Sequence, residues 1–373
     1  MAQRQTPPFR ADHVGSLLRP AQLHRAREQA AQGAITAEQL RSVEDEAIRG
    51  VVAMQRRAGL QSATDGEFRR SSWHMDFIYQ LDGVSKSDEK LQVSFRNADG
   101  ELEFSSSALK VDGRVGLGQA IFADHFDFLK STVDSDVTPK LTIPSPSMVY
   151  YRGGRAAVDG SVYPDLDDFF ADLGSAYAEQ VAAMGRHGCR YLQLDDTSLA
   201  YLNDPNQRQL VADMGFDPET LHLRNIRTMN AAIAAKPDDM AITTHLCRGN
   251  YRSSWAAEGG YDFVAEALFN ELDVNGYFLE FDDERSGGFA PLRFVPKGKY
   301  VVLGLVTTKR GELETVDGLQ RRIEQASQYI DVDQLCLSPQ CGFSSTEEGN
   351  DITEDEQLRK LELIVETAEQ VWG

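Results

Sequence analysis

A chain of 373 residues, 41% hydrophobic and 26% charged, has the composition of one large α/β domain or two smaller ones and excludes wholesale disorder. Its formal net charge of -20 repels phosphate backbones, which argues against nucleic acid as a partner and reads first as solubility. No apolar run approaches the roughly 20 residues of a membrane helix, and MAQRQTPPFRADHVGS has no apolar signal core, so a cytoplasmic protein off the membrane is expected.

The first strand candidate is RADHVGS. A helix is predicted from about Ala37 to Ala58, because Leu40, Val43, Ala47, Val51 and Met54 recur at spacings of three and four, with Gly59 as its C-cap. The short strand LQSAT follows and ends at Asp65-Gly66-Glu67. Between Lys86 and Asp136 the pattern changes: LQVSFR, the turn NADG and ELEF predict a hairpin inserted after the second strand, covering one mouth of the fold. Then come KLTIPS, RYLQLDD, MAITTHLC, GYFLEF, KYVVLGLV and QLCLSP, each a short apolar strand. Helical segments separate most of them, such as Asp165 to His187, with Phe169, Leu173 and Tyr177 on one face, and Val316 to Tyr329. A last helix opens on the capping-box pattern Thr353-Glu354-Asp355-Glu356 and continues through Leu358, Leu361, Ile364, Val365 and Ala368.

Repeated β–α units with continuous apolar strands imply a parallel sheet covered by helices. Eight strand candidates predict an α/β TIM (β/α)8 barrel, a single domain over residues 1–373 with residues 86–136 inserted into it. Polar residues stand at or just past the strand ends: Ser16, Asp65 and Glu67, Asp195 and Asp196, His245 and Cys247, Glu280, Thr307, Cys341. In a barrel these ends converge on one mouth. The competing reading makes each carboxylate a helix N-cap, which serves for any one of them and poorly for the whole set.

Four cysteines in so large a chain do not form a disulfide framework, and no C-x-x-C pair marks a zinc ribbon. His245 and Cys247 are two apart in an extended segment, so their side chains point the same way. With Glu280 and Cys341 from later strand ends they make an imidazole, two thiols and a carboxylate, a mixed donor set that suits tetrahedral Zn2+. Glu280, the hardest donor, is the one to yield to an incoming thiol. Cys189 and Cys336 read as core, His187 as a cation at a helix end, and His74 as packing rather than lining the mouth.

HVGS, DGEF, LQLDD, HLC, LEF and PQCGF, in that order, resemble the cobalamin-independent methionine synthase family, specifically its catalytic C-terminal barrel, over nearly the whole chain. The chain looks like a short, single-barrel branch without the family's extra N-terminal barrel. The resemblance implies His245, Cys247, Glu280 and Cys341 as Zn2+ ligands. It implies that Val14-Gly15-Ser16 hold the carboxylate of an amino-acid thiol, and that Glu67 and Asp195 hold its ammonium. The implied activity is a methyltransferase: a methyl group, from a donor such as 5-methyltetrahydrofolate, passes to the zinc-activated thiolate of homocysteine to give methionine.

The donor side departs from the family pattern. Where long forms have a folate-packing Trp, this chain has Pro144-Ser145-Pro146-Ser147, and where they have Ile-His-Ser-Pro it has Thr307, Thr308 and Lys309. That leaves the proton donor unassigned, with Lys309 as a cationic substitute or a plain surface lysine. Arg69, Arg70, Arg248 and Arg285 read as individually solvated, or together as a basic patch for a polyglutamylated folate. Two other readings stand beside this one: a zinc-thiol alkyltransferase of the epoxyalkane:coenzyme M kind, and a non-catalytic zinc- or thiol-binding protein. A dinucleotide site is not expected, since GRVGLG has the wrong glycine spacing and falls in the predicted hairpin insertion.

Overall fold

The computed structural model describes residues 4–97 and 100–373. Among the described residues ten strands are formed: β1 Ser62–Ala63, β2 Asp82–Asn97, β3 Gly100–Gly116, β4 Thr138–Pro139, β5 Leu141–Pro144, β6 Tyr191–Asp196, β7 Ala241–Leu246, β8 Gly276–Glu280, β9 Tyr300–Val306 and β10 Leu335–Pro339. Strands β5 to β10 lie side by side in chain order in one parallel sheet of six. Residues of β5, β6, β8 and β10 are all buried, as expected for strands covered on both faces.

Two of the eight predicted strands are reduced to short pairings. LQSAT forms only β1, which pairs in parallel with β4. RADHVGS forms a single parallel bridge, Ala11 to Leu337 of β10. The reason is local chemistry. The Asp12 carboxylate accepts from the backbone N–H groups of Phe9 and His13, and Gly15 takes a φ of 141° that breaks the extended run. Beyond Gly15, Leu17 N donates to Gly66 O at 3.1 Å, so the N-terminal segment lies between β10 and the chain that follows β1. The ladder bonds resolve into three sheets among the described residues rather than one continuous ring.

The segment expected to be an insertion contains an antiparallel ribbon, β2 on β3. It starts at Asp82 and ends at Gly116, and residues 123–132 beyond it are helix, so the expected 86–136 span is part ribbon and part helix. The centre of its NADG turn, residues 98 and 99, falls outside the described residues.

Helix signals are met closely. Helix Ala37–Arg57 begins with a complete Thr36/Gln39 capping box, and helix Glu354–Trp372 with the Thr353/Glu356 one. Helix Leu166–His187 is capped by Asp165 and stops at Gly188, whose φ is 91°. Helix Val316–Ala326 is shorter than its pattern. Among the described residues no helix is long and apolar enough to cross a membrane.

Candidate active site

Strand β7 carries His245 to its end, and Cys247 N then donates to Asp196 O at 3.1 Å, which holds the chain extended for two more residues. Cys341 follows β10, after Gln340 N donates to Val306 O at 2.9 Å. The two sulfurs are 3.3 Å apart. One ligand atom each of His245, Cys247 and Cys341 lies within 4.8 Å of the others, and all three residues are buried. Both ring nitrogens of His245 are buried with no hydrogen-bond partner among the described residues. Buried polar atoms are rarely left in that state, and an N,S,S donor set suits a borderline-soft cation. Cys341 is held well below the ordinary thiol range by the hydrogen bond from Cys247, with His245 adding to it.

Glu280 ends β8 beside this group rather than inside it. Its Oε1 is 3.6 Å from Cys247 Sγ, while Oε2 is 3.6 Å from an Nη1 of both Arg248 and Arg285. Burial pushes its carboxyl above the ordinary range, against the pull of Lys309 and Arg285.

Two further carboxylates face the same cleft. Glu67 sits in a left-handed conformation, φ 62°, following Gly66 at φ 67°. Asp65 Oδ1 accepts from Glu67 N at 2.9 Å and fixes that turn. Thr142 Oγ1 donates to Glu67 Oε1 at 2.6 Å, but Oε2 is buried without a partner. A non-glycine residue with positive φ is costly, and such strain collects at sites where a side chain must be aimed. Asp195 is held by Gln193 Nε2 at 2.7 Å, and burial pushes its carboxyl up to about 7. Ser16 is brought against the Cys341 turn: a Cβ on Gly342 would stand 1.9 Å from Ser16 Oγ.

The cleft has about 850 Å3 of empty volume, part of it open to solvent. Val14, Ser16, Glu67, Asp195, His245, Cys247 and Cys341 all line it, whereas Gly15, Glu280 and Lys309 are not among its lining residues. Leu91, Val93, Phe95 and Phe104 of the ribbon roof it. Arg96 pairs with Trp255 through two backbone hydrogen bonds, at 2.7 and 2.9 Å, which ties the ribbon to the loop after Cys247.

Several expectations are corrected. Lys309 is neither a surface lysine nor aimed into the cleft: its side chain is 9% exposed and pairs with Asp282 at 3.2 Å. The arginines are not solvated. Arg69, Arg70, Arg248 and Arg285 have side chains between 0% and 8% exposed, each bound to carboxylates, so they form no free patch for an anionic tail. Asp196 serves structure as well as lining, accepting from Ser145, Ser147 and Ser198. His74 lines the cleft instead of only packing, and burial with Arg152 nearby lowers its pKa to about 3, which favours the neutral ring. Arg152, Tyr201 and Met148 also line the cleft, and their spacing in the sequence carried no signal of it.

A model of the cobalamin-independent synthase catalytic domain matches residues 121–370. The chain is 46% identical to the uncharacterized protein YxjH of Bacillus subtilis over 371 residues, 99% of this chain and 96% of that one. It is 24% identical over 332 residues to a methionine synthase of Pyrococcus abyssi, covering 88% and 85% of the two chains. The crystal structure of a putative vitamin-B12-independent methionine synthase from Listeria monocytogenes superposes with a TM-score of 0.78 at 39% identity, covering 99% of this chain and all of that one. With a family match over two thirds of its length and a parallel α/β fold of this kind, the chain belongs to the cobalamin-independent methionine synthase family, and it is a methyltransferase.

Proposed function

We propose that the protein is a zinc-dependent homocysteine S-methyltransferase built on a single (β/α)8 barrel spanning residues 1–373, with the ribbon as an insertion over its mouth. The observation that carries this reading is the buried His245–Cys247–Cys341 group, with two unpartnered ring nitrogens, on the wall of the cleft that Glu67 and Asp195 also line. These three residues would hold Zn2+, with Glu280 as an exchangeable fourth donor. When bound, the ion supplies the positive charge that keeps a substrate thiol deprotonated near neutral pH.

The chain's own residues do the rest. Glu67 and Asp195 draw the ammonium of homocysteine, and the free Oε2 of Glu67 is a ready acceptor for it. Ser16 and the backbone around Gly15 receive its carboxylate. The apolar ribbon face excludes water from the reacting atoms. The sulfur–carbon bond forms as the donor's bond to the methyl carbon breaks, and the donor takes up a proton. Methyltetrahydrofolate is the donor to try first. A coenzyme M type of thiol is disfavoured, because it has no ammonium for two buried carboxylates to meet.

Metal analysis and methionine formation test the reading together. The protein as purified should carry zinc and should make methionine from homocysteine and mono- or triglutamyl methyltetrahydrofolate. Zinc without turnover on either folate would reject the folate donor and leave the thiol site standing. A metal-free, inactive protein would sink the proposal.

A further inference from the structure

The carboxylate of Glu280 faces two ways. Oε1 looks toward Cys247 Sγ, and Oε2 looks away from it toward two guanidinium groups, each 3.6 Å distant. The two arginines differ. Arg248 is already committed, donating to Gly259 O, Tyr261 OH and the Glu280 carbonyl, with its guanidinium over the Tyr261 ring. Arg285 spends Nε on Asp283 at 2.9 Å and Nη2 on Asp282 at 3.2 Å, and its guanidinium lies over the Trp255 ring. Its Nη1 has no hydrogen-bond partner among the described residues, and neither has Glu280 Oε2. Two buried, oppositely charged atoms thus stand just beyond hydrogen-bonding distance. A side-chain adjustment of under about 1 Å would join them in a charge-assisted bond.

We infer that Arg285, backed by Arg248, is the receptor that takes up the Glu280 carboxylate when a substrate thiol enters the His245–Cys247–Cys341 group. This inference rests on the zinc–thiol reading above. The charge balance favours it. A thiolate arriving as a carboxylate leaves keeps the charge at the group constant, with the thiol proton released to solvent. A carboxylate displaced into a dry interior with no cation to meet it would be strongly destabilised. Lys309 also acts on Glu280 by charge, but its ammonium contact is to Asp282 at 3.2 Å, whereas Arg285 Nη1 stands 3.6 Å from Glu280 Oε2. Arg285 is a positioning residue: it acts on the thiol only through Glu280.

The consequence is a split between two affinities. Without Arg285 the displaced carboxylate loses its partner, so thiol binding weakens, while the resting metal site loses a competitor for Glu280. The test uses the full chain loaded with cobalt, titrated with L-homocysteine and followed by visible absorption, with cobalt affinity measured separately by chelator competition. For Arg285→Gln, homocysteine Kd should rise roughly 10–100-fold, the range for residues that orient metal ligands. Cobalt affinity should hold or tighten, and Arg285→Lys should fall between. In a Glu280→Gln background Arg285→Gln should leave the homocysteine Kd unchanged. If Arg285→Gln fails to fold, the same cycle is run with Arg285→Lys. A homocysteine Kd within about twofold of wild type, a parallel loss of cobalt affinity, or an undiminished Arg285 effect without the Glu280 carboxylate would each overturn the inference. If wild-type protein binds no cobalt, or its spectrum ignores homocysteine, the zinc–thiol reading fails and the inference falls with it.

Discussion

Cys247 and Cys341 sit close enough that removing either thiol leaves His245 and one sulfur. Cys247→Ser and Cys341→Ser should each drop bound zinc from stoichiometric to trace on elemental analysis, with the fold retained by circular dichroism. Asp195 supports a pH prediction. Burial raises its folded-state carboxyl to about 7, against about 3.9 in an unfolded chain. Between those values the folded state binds the extra proton, so this residue makes metal-free protein less stable as pH rises. Asp195→Asn should therefore stabilise metal-free protein at pH near 8 by on the order of a few kcal/mol, and the gain should fade as pH falls toward about 4. Thermal melts across that window check it, and a gain independent of pH would contradict it. Homocysteine binding should weaken in the same variant, because the carboxylate is lost as a partner for the ammonium. Gly342 meets Ser16 Oγ so closely that Gly342→Ala should cost about 1–3 kcal/mol of stability and also raise the KM for homocysteine.

At the scale of elements, the ribbon and the loops after β7 and β10 close the cleft together. Asn250 Nδ2 donates to Gly342 O at 2.8 Å, and Ser253 N to Asn350 Oδ1 at 3.0 Å, which couples the Cys247 loop to the Cys341 loop. Arg252 and Ser253 take positive φ, 47° and 63°, inside that stitch. The ribbon contributes Phe95 and Phe104, whose rings meet Tyr251 at 5.5 and 4.9 Å. Phe95→Ala should open this roof and raise the KM for the methyl donor more than that for homocysteine, whose proposed contacts lie on the strand ends. Steady-state kinetics with each substrate varied in turn would show it, and equal effects on both would contradict the assignment of the roof to the donor. The cap of the last helix was legible because capping chemistry is local: Thr353 read correctly from four residues, and Thr36-Ala37-Glu38-Gln39 carries the same kind of local signal, which the expectation of a helix from Ala37 to Ala58 passes over. The reduction of the first strand was not, because Asp12 diverts the backbone N–H groups of Phe9 and His13 into side-chain bonds.

For the whole molecule, a metal held at the proposed site would be linked to folding. A cation bound by His245, Cys247 and Cys341 would join the end of β7 to the end of β10 across the sheet, and would so stabilise the folded chain by mass action. Removing it with a chelator should lower Tm, and zinc, but not magnesium, should restore it. The interior also holds charges that binary patterning hides. Lys140 is fully buried, 3.4 Å from Asp12 Oδ1, and Tyr191 OH donates to the other Asp12 oxygen at 2.7 Å. No periodicity marks Lys140 as internal, since a lysine at a strand start ordinarily reads as solvated.

The sequence by itself determined the alternating β–α order, the helix caps, and which residue types stand at strand ends. Those follow from period, propensity and short-range hydrogen bonding, all of which act within a few residues. It also placed a histidine and a cysteine on one side of one strand end. Only the tertiary structure decided that Cys341, almost a hundred positions later, stands 3.3 Å from Cys247. It decided too that Glu280 lies beside the group with two arginines behind it, and that Lys309 turns away to Asp282. Those outcomes depend on long-range packing and on which buried charge finds which partner, and neither is written in any local pattern.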